Sequence, residues 1–142
     1  MPLVPPSKWS WKRKVAGVDE ATLEAAFLGF LIELDEAALA HDPNDVEALI
    51  RLGETYTRRG RHADGLAIDR RLVALQPDDQ TAHYNLACSL ALTGDPDGAF
   101  AALGRAVELG YAQVEHLLTD DDLRALHGDP RWGALLARLR KS

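Results

Sequence analysis

Glycine recurs at Gly60, Gly94 and Gly128, each 34 residues after the last, and Pro43 and Pro77 keep the same spacing. Leu52 and Leu86, Ala48 and Ala82, Ala67 and Ala101, Arg71 and Arg105, and Leu75 and Leu109 repeat it, and "GDP" at 94–96 returns at 128–130. Self-similarity at one fixed offset marks a chain built from a supersecondary unit stacked on copies of itself. With 142 residues there is room for only a few such units.

Each period holds two helical patterns. Val46, Leu49, Ile50, Leu52 and Tyr56 follow helical spacing over 45–59 rather than the alternation of a strand. Asn44 is placed to cap that helix, because its side chain can accept from the orphan amides of the first turn. Gly60 suits the left-handed residue just past a helix end. A second helix is predicted over 62–75. It stops before Pro77, whose ring disfavours helix in the preceding residue. Asp95-Pro96 and Asp129-Pro130 each read as an N-cap followed by proline at the first helical position. No segment alternates like a strand, so the predicted class is all-α.

A helix-turn-helix unit of this length resembles the tetratricopeptide repeat. The resemblance is closest in "QTAHYNLACSLALTGDPDGAFAALGRAVEL" at 80–109, where Leu86-Ala87, Ala99 and Ala106 fall on the family's leucine and small positions. Over 46–77, Leu52, Gly53, Tyr56 and Pro77 fit, while Gly65 replaces the usual alanine and Asp69 an aromatic. The matched stretch is 44–110, about half the chain. The family implies a right-handed α-solenoid of antiparallel helix pairs. On that plan 1–16 is a basic tail and 17–142 a single helical domain. Within the domain, 19–40 is an N-terminal helix with Asp19 as its cap, 44–77 the first repeat, 78–111 the second, and 112–142 a degenerate repeat with a capping helix. "YAQVEHLLTDDDLRALHGD" puts aspartates where packing residues belong, so its first helix is expected to break near Thr119. The last helix places Trp132, Leu135, Leu136 and Leu139 on one face and arginines on the other, as a solvent-facing cap requires.

The resemblance also implies a binding groove lined by the first helix of each pair. By register its residues are Ile50, Arg51, Glu54 and Arg58 in the first repeat and Tyr84, Asn85 and Cys88 in the second. Asn85 is similar to the family's groove asparagine, which bonds peptide backbone; a bond to a neighbouring helix is the alternative. Ile50 and Tyr84 stand where carboxylate-gripping members have lysine, and Glu54 would repel a carboxylate. A mixed polar and apolar segment is therefore expected, with Arg51 and Arg58 pairing with an acidic side chain of the ligand and Tyr84 as an apolar platform.

Catalytic chemistry is thin. Cys88 is the only cysteine, so an internal disulfide and paired-cysteine zinc patterns are excluded. His83 lies five residues from it, whereas helical neighbours are three or four apart. Asn85 is no base. "DDD" at 120–122 lacks the spacing and glycine of a calcium loop and reads as a helix start on a solvated surface. The five histidines form no ligand pair, and phosphate-binding and nucleophile-elbow motifs are missing. Asp69 is expected to pair with Arg70, Arg71 or a neighbouring helix.

Charge narrows the partners. The net formal charge is −6 with a pI near 5.3, which argues against nucleic acid. No apolar run reaches membrane-spanning or secretory length, so neither a span nor a signal peptide is expected and the expected location is cytoplasmic. Lys8, Lys12, Arg13 and Lys14 face no acid in the first 16 residues, while 19–54 hold ten acids and one arginine. That contrast, with Trp9 and Trp11 beside the lysines, predicts that the tail docks on its own domain or another subunit. The expected function is a non-catalytic interaction module with a protein or peptide partner and no cofactor or metal. A self-assembling structural protein, joined through the solenoid ends, is the alternative. An enzyme using Cys88 is the remote one.

Overall fold

A computed structural model describes residues 17–141, and the basic tail with Trp9 and Trp11 lies outside the described residues. Seven α-helices and one 3-10 helix follow in order, with no strand among the described residues: α1 Glu20–His41, α2 Val46–Arg58, α3 His62–Leu75, α4 Gln80–Leu92, α5 Pro96–Glu108, α6 Val114–Thr119, the 3-10 helix Asp121–Leu126, and α7 Pro130–Lys141. Each helix packs chiefly on the next: α1 on α2, α2 on α3, α3 on α4, and α4 on α5. The 3-10 helix leans back on α4, and α7 closes over α5. The all-α stack of helix pairs implied by the 34-residue period is the observed architecture.

Aspartate starts most of these helices. Asp19, Asp79 and Asp95 each accept from a backbone amide of the first turn. For α2 the cap is Asp45, which accepts from the Ala48 amide, and not Asn44. Asn44 sits one residue too early, its own amide bound to Asp42. Asp129 accepts from the Arg131 amide just before α7, with Pro130 at its first position.

Gly60, Gly94 and Gly110 all take positive φ, which a side chain would strain. Each closes a helix in one way, through Arg61 N–H to the Tyr56 carbonyl, Asp95 N–H to Leu90, and Tyr111 N–H to Ala106. Gly128, though on the same period, does not have positive φ, because it follows a 3-10 turn rather than a full helix.

The interior falls into two clusters. One gathers Ile32, Leu39, Leu49, Leu52, Tyr56, Ile68 and Leu72 from α1–α3 with Ala82. The other runs from Tyr84 through Leu103, Leu117 and Leu123 to Trp132, Leu135 and Leu139. Full burial of one such leucine contributes roughly 1.5–3 kcal/mol. Gly53 lets α2 approach α3: a Cβ there would lie 3.3 Å from Ile68 Cγ2. α7 buries Trp132, Leu135 and Leu139 and half-buries Leu136, with Arg131 stacked over Phe100 and paired to Asp97 at 2.8 Å. α1 is apolar on its far side too, leaving Phe30 and Leu34 51% and 44% exposed one turn apart.

Candidate functional site

α2 and α4 begin 34 residues apart, and the space between them is a depression of about 350 Å³. From α2 it is lined by Ile50, Gly53, Glu54, Thr57 and Arg58, and from α4 by Tyr84, Asn85, Cys88, Ser89 and Leu92. Asp69 and Leu72 of α3 form its floor, and His116, Asp120 and Asp122 close the far end.

Six of the seven groove residues read from the sequence thus meet in one place. Arg51 does not. Its Nε and Nη2 reach Asp35 Oδ1 of α1 at 3.1 and 2.9 Å, because Asp35 is buried and needs a counter-charge. Tyr84 lines the depression as a wall and not as an open platform: it is 4% exposed, stacked on Tyr111 at 4.7 Å between centroids. Its hydroxyl donates to Asp120 Oδ2 at 2.6 Å. Asn85 is half-buried, and its side chain takes no hydrogen bond among the described residues.

Cys88 is buried, and its thiol donates to Asp120 Oδ2 at 3.6 Å. Burial first, then the charges of Asp120 and Asp122, push its pKa well above the thiol range. A thiol so held is protonated at neutral pH, the opposite of an activated nucleophile. The ring of His83 is turned away, with Nε2 2.8 Å from the Pro77 carbonyl oxygen.

The sequence reading missed the role of Asp120. Asp120 is no solvated surface residue. Its Oδ1 accepts from the Asp122 amide and so starts the 3-10 helix, while Oδ2 serves Tyr84 and Cys88. Cys88, Asp120 and Asp122 offer ligand atoms within 4.8 Å of one another, the one described group with metal-ligand spacing. Of these atoms Cys88 Sγ donates to Asp120 Oδ2, while Asp122 is joined to Asp120 through its backbone amide. Of the partners expected for Asp69, the neighbouring helix is the one found, and Arg70 and Arg71 are not. Asp69 accepts from Ser89 Oγ of α4 at 2.5 Å, while Arg71 reaches the Pro43 carbonyl. Burial raises the Asp69 pKa to about 6, against the opposing effect of the Ser89 hydroxyl. A signal for Asp69 did exist, since Asp35 stands 34 residues before it.

A sequence model of the tetratricopeptide repeat matches residues 33–79 and 67–113. The peroxisomal targeting signal receptor of Candida albicans is 32% identical over 114 residues, covering 75% of this chain and 18% of that protein. The receptor of the same name from Komagataella phaffii is 34% identical over 94 residues, 66% of this chain and 16% of its own. Superkiller protein 3 of Saccharomyces cerevisiae is 34% identical over 86 residues, 61% of this chain and 6% of its own. This chain therefore spans less than a fifth of the length of these relatives. No helix among the described residues is long and apolar enough to cross a membrane.

Proposed function

The chain belongs to the tetratricopeptide-repeat family, and from that premise we propose that it is a non-catalytic interaction module whose groove receives a short segment of a partner protein. One observation carries the reading. The Asn85 amide faces the depression between the two repeats with no partner of its own among the described residues. A half-buried amide with donors and acceptors to spare is suited to a peptide backbone, which offers both. The relatives named as receptors for a targeting signal support a short recognised segment. The protonated state of Cys88 supports a role without catalysis.

The test uses a partner recovered by pull-down. Asn85→Ala is expected to weaken that complex by about 1 kcal/mol or more if Asn85 is a hot spot. Arg105→Glu, on the outer surface beside Asp78 and Glu108, is expected to leave it unchanged. Loss of the complex in the outer variant with retention in the groove variant would move the site to the convex face.

A second reading, self-association through α1, is favoured by Phe30 and Leu34. A solenoid end that shows apolar side chains is prepared to stack on another copy. Sedimentation over a hundredfold concentration range separates the two. A mass that rises with concentration in the native chain and not in Phe30→Glu supports assembly.

A further inference from the structure

Two repeat-equivalent pairs differ in one respect. Asp35 and Asp69 are 34 residues apart, as are Arg51 and Asn85. In the first pair the aspartate is 3% exposed and the arginine bonds it. In the second the aspartate is 7% exposed, and asparagine stands where the arginine was. No described cation lies on Asp69; its one hydrogen-bond partner is the Ser89 hydroxyl. Unlike Asp35, Asp69 looks into the depression, whose other ionisable side chains are Glu54, Asp120, Asp122, Arg58 and His116. A buried carboxylate without a counter-ion is costly, and a cation brought to it in low dielectric is bound strongly.

We infer that the groove selects a segment carrying an arginine or lysine, whose cation seats on Asp69 as Arg51 seats on Asp35. This rests on the groove reading above and names the chemistry that the groove prefers. Arg51 supplies within the chain what the partner supplies to Asp69. Asn85, beside it, is left to hold the backbone of the same segment.

The probes are four pools of nine-residue amidated peptides. They are random except at the centre, which is arginine, lysine, citrulline or glutamate. Retention on the immobilised full chain is counted for each pool. The arginine and lysine pools are expected to be retained at least about tenfold over the citrulline and glutamate pools. Asp69→Asn, which keeps an acceptor for Ser89, is expected to abolish that preference. Asn85→Arg, which installs the Asp35–Arg51 arrangement, is expected to abolish it as well. Thermal melts confirm that each variant folds, and the inference requires only that one of the two does. Equal retention of all four pools, lost in Asn85→Ala, overturns the cation and leaves the groove standing. A basic preference untouched by Asp69→Asn and Asn85→Arg also overturns it, since the cation then sits elsewhere on an acidic surface. Absence of retention, or retention indifferent to Asn85→Ala, overturns the groove reading together with it.

Discussion

Tyr84 donates to Asp120 across 36 residues of sequence, at 2.6 Å. The bond ties the segment between α6 and the 3-10 helix to α4. A hydrogen bond to a charged acceptor contributes about 1.5–3 kcal/mol, and its loss leaves a half-buried carboxylate short of a donor. Tyr84→Phe is expected to lower unfolding stability by that amount in urea titrations while keeping the Tyr111 stack. An unchanged midpoint would show that Asp120 is satisfied without Tyr84.

Asp69 carries a stability cost with a defined pH window. Burial raises its folded pKa to about 6, above the 3.8 of an exposed aspartate. The unfolded chain therefore releases the proton first as pH rises. The cost is absent below about pH 4, grows through the interval, and is complete above about pH 6. Asp69→Asn is expected to stabilise the protein by about 3 kcal/mol at pH 7.5 and by little at pH 4. An equal gain at both pH values would mean that burial of the charge is not the cause.

Cys88 is a packing residue with a weak donor. Cys88→Ser keeps a donor toward Asp120 and is expected to change stability by less than about 1.5 kcal/mol. Alkylation of the native thiol is expected to be slow, at a few per cent of the rate in urea. Equal rates would place the thiol in solvent and reverse this account.

The final helix closes the second core. Trp132 is buried against it, with His127 alongside at 4.5 Å between ring centroids. Trp132→Ala is expected to cost about 3–5 kcal/mol, and truncation after Gly128 to lower the melting temperature and promote aggregation. A truncated chain that melts with the full one would remove α7 from the cooperative unit.

The helices were legible because their punctuation is local. Gly60 and Pro77 end α2 and α3 by backbone rules that act within a few residues, and α3 spans His62–Leu75 as the pattern predicts. The cap of α2 was misplaced by one residue, since Asn44 and Asp45 are both competent and only the backbone path decides between them. Register put Arg51 toward the groove, but a long side chain turns to a buried charge that lies on another helix. Asp120 reads as surface in "DDD" because nothing local says that Tyr84 stands over it. Helical spacing carries direction along one helix. It does not carry which side chains meet across two.

The two interior clusters meet at the seam between α3 and α4, where the polar pair Asp69–Ser89 sits among apolar contacts made by Ala82 and Leu66. Two clusters that meet along one seam can open as separate units. Glu54 and Arg58 belong to one side of it, Asn85 and Asp120 to the other. A segment lying across the depression touches both units at once. Its binding energy is then spent partly on joining them, so occupancy would appear in hydrogen exchange as slower opening of α2 and α4 together, at amides the ligand never contacts.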